Sequence, residues 1–278
     1  MSWKRITVVA CGAGEGISLV KAARDVAIQL GAQLDVIVPV LMPTPQYGTS
    51  MDLLSRGFDE LRRRCLLEAH AAAERVALIA AGSDHRIRVL DFSEGDLRAL
   101  AASWGRSSDV VVVSQPSAVD RSNTDTEVLV GVLLGSGRPC VMLPDWKDDR
   151  PWGKRALVAW KGTPEAARAL AGALPLLRSA DETRICIVNP RSEREGEDEE
   201  NLHRVCDYLR MHGVRVEAPK TMRSREAPET VLAAEIEAFH ADLLVMGAYS
   251  RPRLQEIMFG GTTAAMIREA RIPVLLAH

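Results

Sequence analysis

Residues 242–250 read DLLVMGAYS, and residues 109–117 read DVVVVSQPS. Each opens on an aspartate, crosses an apolar run too short for a helix, and breaks on Gly or Ser before a polar loop. That is the signature of a strand buried on both faces. The two stretches lie 133 residues apart, and neighbouring segments repeat with them. KRITVVA at 4–10 matches KRALVAW at 154–160 at an offset of 150. GRPCVMLPD at 137–145 matches ARIPVLLAH at 270–278 at an offset of 134, with Pro139 facing Pro273. Three matched segments in one order mean two copies of one unit. The offset shrinks because the first copy carries the longer excursion LMPTPQYGTSMDLLSRG at 41–57. DWKDDRPWG at 145–153 reads as the join, with charge, Pro151 and Gly153 marking a linker. The expected units are residues 1–148 and 152–278.

Strand and helix patterns alternate within each unit. In the second, ALVAW is a strand and GTPEAARALAGALPLL a helix, with Thr163 as N-cap and Pro164 at the first helical position. TRICIV follows as a strand, EDEENLHRVCDYLRMHG as a helix stopped by Gly213, and VRVEAP as the expected third strand. APETVLAAEIEAFH, DLLVMG, TTAAMIREA and PVLLA complete the unit. The first unit follows the same order through ITVVA, SLVKAARDVAIQLG, LDVIVPV, RCLLEAHAAAERVALIA, RIRVLD, EGDLRALAASWG, DVVVVS, EVLVGVLLGSG and PCVML. The fold class is α/β: two tandem doubly wound domains, each a five-stranded parallel sheet with helices on both faces.

Composition excludes several functions. The 278 residues are 47% hydrophobic and 26% charged with a formal net charge of −2, which gives no general attraction to nucleic acid or an anionic membrane. The opening MSWKRITVVA has too short an apolar run for a signal peptide, and no stretch approaches a membrane span. Five cysteines without a C-x-x-C pair point to free thiols in a reducing cytoplasm.

The order β-α-β-α-β-α-β-α-β, the strand ending in Gly, the Gly-rich helix start and the closing R-x-P-V-L-L resemble the universal stress protein family. The resemblance covers the second unit through VAWKGTPEAARALAGALPLL and MGAYSRPRLQEIMFGGTTAAMI, and the first chiefly through DVVVVSQPS and GSGRPCVMLP. It implies a tandem protein of two such domains. It also implies that the last strands of the two domains pair antiparallel, making an intrachain pseudo-dimer about a pseudo-two-fold, with Met142 close to Leu276.

Nucleotide-binding relatives share G-x2-G-x9-G-[S/T]. Here Gly247 fills the first place, Ser250 stands at the second, Gly260 at the third, and Gly261 where the hydroxyl residue belongs, with Thr262 and Thr263 next. A helix start of this kind offers unpaired N–H groups and a positive dipole end to phosphate. The Thr262 and Thr263 hydroxyls can donate, and Arg251 or Arg253 can supply charge. At the end of the first strand, Lys161-Gly162-Thr163 replaces the family's acidic residue, so phosphate count should matter more than base identity and ATP should exceed AMP. The bland alternative is that Gly260 and Gly261 only turn the chain. In the first unit Ser114 and Ser117 replace Gly247 and Ser250, and Thr126-Glu127 replace the glycine pair, so no nucleotide is expected there.

Enzyme readings fare worse. CGAGEG lacks a small residue at Ile17 for a dinucleotide fingerprint, His203 and Cys206 lack a second pair of metal ligands, and no G-x-S-x-G elbow is present. The expectation is a cytoplasmic, non-catalytic stress-response binding module without metal or nucleic acid. It takes an adenine nucleotide such as ATP, or another anionic small ligand, in its C-terminal domain, and it has a protein partner the sequence does not name. The alternative is an ATP-binding switch with slow hydrolysis.

Overall fold

A computed structural model describes residues 2–11, 15–42, 51–93, 95–116, 124–144, 151–190, 197–248 and 261–278. The chain runs β1 (Arg5–Val9), α1 (Glu15–Leu30), β2 (Gln33–Met42), α2 (Met51–Ala80), β3 (His85–Ser93), α3 (Leu97–Gly105), β4 (Val110–Ser114), α4 (Thr124–Gly135) and β5 (Cys140–Leu143). It continues with β6 (Arg155–Ala159), α5 (Pro164–Ser179), β7 (Glu182–Val188), α6 (Glu197–Met211), β8 (Lys220–Met222), α7 (Pro228–Phe239), β9 (Leu243–Gly247), α8 (Thr262–Glu269) and β10 (Val274–Ala277).

The strands form one ten-stranded sheet, ordered β3-β2-β1-β4-β5-β10-β9-β6-β7-β8. Within each half every pairing is parallel, and the second half reads 8-7-6-9-10 where the first reads 3-2-1-4-5. Among the described residues the halves pair within the sheet through β5 and β10, which are antiparallel. That pairing leaves neither terminal strand as an open edge. Two core clusters sandwich the sheet. One gathers residues of α1, α5 and α6 and the end of α2, the other residues of α3, α4, α7 and α8, and each cluster contains side chains from both halves. The contact between halves is reinforced by two side chains. The Trp3 indole N–H donates to the Gly172 carbonyl at 3.2 Å, and the Gln115 amide donates to the Ile267 carbonyl at 2.7 Å. Gly172 is required there, since a Cβ would lie 2.9 Å from Pro139.

An aspartate opens both of the stretches first quoted for a concrete reason. Asp109 accepts the backbone N–H groups of Lys4 and Arg5 at 2.6 and 2.9 Å. Asp242 accepts those of Lys154 and Arg155 at 3.1 and 2.8 Å. The Lys-Arg pairs of the repeat are therefore clamped to the next strand over by the same carboxylate in each half.

Several element boundaries differ from the sequence reading. The helix α2 begins at Met51, inside the stretch read as an irregular excursion. Its inward face, Cys65, Leu66, Ala69, Ala72 and Ala73, packs on Val38, Val40 and Met42, which explains why β2 runs to ten residues. The helix α4 begins at Thr124, one turn before the expected start. VRVEAP is not a regular strand. It makes a single bridge between Val216 and Thr183, and regular pairing resumes only at Lys220 opposite Cys186. One extra residue is accommodated between these pairs, where Pro219 has no N–H to give the ladder; the result is a bulge on an edge strand. The join at 145–150 and the charged segment 191–196 lie outside the described residues.

Candidate functional site

In the second half the chain leaves β6, winds outward to β7 and β8, then returns to β9 and β10 on the other side. The switch in winding direction falls between β6 and β9, and such a switch point opens a crevice beyond the carboxyl ends of the strands. A cleft of about 250 Å³ lies there, walled by the ends of β6, β7 and β9 and the first turns of α5, α7 and α8.

The first turn of α5 forms one wall. Thr163 is its N-cap and accepts the Ala166 N–H at 3.3 Å, with Pro164 next, as the sequence indicates. Lys161 and Thr163 line the cleft, and Gly162 turns the chain between them at φ +66°. Gly247 lines the facing wall, but its missing side chain has a packing role. A Cβ there would lie 2.5 Å from the Ala166 nitrogen, so only glycine lets the end of β9 touch the start of α5.

Thr262 and Thr263 form the third wall at the start of α8. Gly261 is its N-cap at φ +88°, a conformation that side chains avoid, and the space where a Cβ would sit is open. Substitution at Gly261 would therefore strain the backbone. The Thr262 hydroxyl donates to the Glu229 carboxylate at 3.3 Å. Ser250, Arg251, Arg253 and Gly260 lie outside the described residues.

The floor is apolar, with Val188, Leu232, Met246 and Cys186. Burial pushes the Cys186 thiol up to about 12, the nearby Glu235 adding to the effect while Lys220 and Arg184 oppose it. It stays protonated at neutral pH and is no nucleophile. Beneath it the buried Glu235 carboxylate takes Arg184 at 3.1 Å and Lys220, while Arg184 also pairs with Glu217 at 2.8 Å and stacks 4.2 Å from the Phe239 ring centre.

Two residues of the site escaped the sequence reading. Asn189 closes β7 at φ +49°, and its side-chain oxygen accepts the Ser224 N–H at 2.8 Å. With the oxygen so engaged, the amide NH2 is the group left for the cleft that Asn189 lines. The Asn-Pro after a strand is a turn signal that could have flagged it. Glu229 gave no comparable signal, because Thr262 is 33 residues away. Trp160 both lines the cleft and packs against the core.

The first half is built differently at the equivalent place. At the offset of 134, Val128 corresponds to Thr262, so α4 has an additional turn where α8 has Gly261. Glu127 sits in that turn and is clamped by Arg98 through two hydrogen bonds of 2.8 Å. Among the described residues no group of histidine, cysteine and acidic side chains could hold a metal, and no helix is long and apolar enough to cross a membrane.

The fold and the cleft define a doubly wound α/β protein in tandem, with a crevice of the kind that takes small ligands in one of its halves. Residues 153–278 match the sequence model of the universal stress protein family, and this half of the chain is a universal stress protein domain. The whole chain shares its fold with a universal stress protein from Archaeoglobus fulgidus DSM 4304. The match has a TM-score of 0.69 at 17% identity and covers 98% of this chain and 95% of that one. It also matches a candidate universal stress protein from Pseudomonas aeruginosa UCBPP-PA14, with a TM-score of 0.61 at 16% identity over 99% and 93% of the two chains. A universal stress protein in complex with cAMP aligns with 52% of this chain and 99% of its own length, at 16% identity and a TM-score of 0.34. No curated protein matches the chain in sequence.

Proposed function

We propose that the protein is a non-catalytic binding module whose C-terminal cleft takes a nucleotide or another small ligand with an anionic group. The observation that carries this reading is the convergence of Lys161, Thr263 and the start of α8 on one crevice at the switch point, above an apolar floor and beside Trp160. The helix start offers backbone N–H groups and the positive end of its dipole. Lys161 adds a cation, and the Asn189 amide adds donors for a ring or carbonyl acceptor.

The ionisable side chains among the described residues of the cleft wall are Lys161 and Cys186, and the thiol stays protonated. The family membership of the C-terminal half makes a role in stress tolerance the natural setting. Mass spectrometry of the purified and denatured protein should release a nucleotide or another anionic metabolite. If nothing is released, and adenine nucleotides at millimolar concentration give neither heat nor a thermal shift, the cleft is not a nucleotide site.

A further inference from the structure

We infer that Glu229 limits the negative charge of the ligand, so that the C-terminal cleft prefers a nucleoside or nucleoside monophosphate to a triphosphate; this rests on the reading of the cleft as a nucleotide site. Thr262 is the first residue of α8, and its hydroxyl donates to Glu229 across 3.3 Å. The helix end that would attract phosphate already has a carboxylate one hydrogen bond away. A carboxylate at that distance offsets the half-charge of a helix N-terminus.

The remaining groups point the same way. Lys161 is a cation of the described lining, and Glu229 brings the opposite charge to the start of α8 through Thr262, so the two together bring little net attraction for a polyanion. With its proton given to Glu229, Thr262 turns an acceptor toward the cleft, while Thr263 and the Asn189 amide supply donors. A mixed set of donors and acceptors matches a ligand rich in hydroxyls and ring nitrogens. Each further phosphate adds charge against the fixed carboxylate. The ordering inferred here, AMP above ATP, is the opposite of the one expected from Lys161 alone.

The test is calorimetric titration of the full chain with adenosine, AMP and ATP, in buffer without divalent cations, for the natural protein, Glu229→Gln and Glu229→Asp. Glutamine is isosteric and still accepts the Thr262 hydroxyl, and melting curves check that each variant folds. The natural protein should bind AMP roughly tenfold tighter than ATP, the scale of one like charge a few ångströms away in a half-exposed site. Glu229→Gln should close that gap by raising ATP affinity roughly tenfold, and Glu229→Asp should preserve it. ATP binding that appears only in Glu229→Gln also supports the inference. An ATP-to-AMP ratio unchanged between the natural protein and Glu229→Gln would overturn the inference and leave the site standing. Heat from none of the three ligands in any protein would overturn the site itself, and the inference with it.

Discussion

Val141 lies opposite Leu275, and this pair is the centre of the molecule's internal symmetry. The repeat offset of 134 carries Val141 onto Leu275, and in the antiparallel ladder the two face each other. On either side Cys140 faces Leu276 and Met142 faces Val274, each pair being the other's image. A pseudo-two-fold through that point follows from register alone. The expected proximity of Met142 and Leu276 is corrected by the same register, because symmetry-related residues coincide only on the axis.

The register predicts a single-substitution crosslink. Leu276→Cys places a thiol directly opposite the native Cys140, at the spacing a disulfide needs. Both positions are fully buried, so oxidation should accompany refolding rather than follow it. Peptide mapping after refolding in oxidising buffer should recover a 140–276 disulfide within one chain. A double variant Met142→Cys and Leu276→Cys should show no 142–276 bond, since those positions are diagonal neighbours.

Gly247 should prove a packing residue before it proves a ligand residue. Gly247→Ala drives a methyl to 2.5 Å from the Ala166 nitrogen, and the start of α5 must retreat. The expected loss is about 1–3 kcal/mol, as for other overpacked interiors. Chemical denaturation should show it with no ligand present. A stability equal to that of the natural protein would mean that the α5 start yields freely.

Glu235 anchors a charge network that tolerates no vacancy. It is 3% exposed and holds Arg184 and Lys220 together under the cleft floor. Glu235→Ala leaves two cations facing an empty position and should cost about 3–5 kcal/mol. Glu235→Gln, which keeps an acceptor oxygen for one cation and fills the space beside the other, should cost less. Denaturation midpoints of the two variants decide between a network held by charge and one held by shape.

Glu165 should make the protein acid-sensitive. Its own backbone N–H holds the carboxylate below its ordinary range; burial opposes this, while the Thr163 hydroxyl and then Arg168 and His278 add to it. A depressed native value contributes stability above the unfolded value of about 4.3, and that stability disappears as pH falls through the native value. The stability of Glu165→Gln should therefore converge on that of the natural protein below about pH 4 and fall short of it at neutral pH. A difference independent of pH would show that the carboxylate's charge is not what matters.

The strands of this protein were legible because they answer to local rules. DVVVVS and DLLVMG are apolar on both faces for the reason that helices cover both faces of the sheet, and Thr163-Pro164 announces a helix by satisfying its first N–H groups. The exceptions mark where a local rule was outweighed. MDLLSRG looks irregular beside its Pro- and Gly-rich neighbours, yet it is the first part of α2, which goes on to pack on β2. VRVEAP alternates like a strand, yet Pro219 and the bulge keep most of it out of the ladder.

By itself the sequence determined the duplication and the alternation of strand and helix, since each depends on spacing along the chain. Tertiary structure alone decided what the crevice is made of. That the glycine after DLLVM meets a neighbouring helix depends on how closely α5 descends on β9, where a Cβ would lie 2.5 Å from the Ala166 nitrogen. Whether the start of α8 faces a cation or an anion depends on α7, whose Glu229 reaches it only after the chain has crossed from one element to the next. Strand patterns repeat because every strand meets the same layers, whereas a side-chain meeting between two crossovers happens once and leaves no period to read.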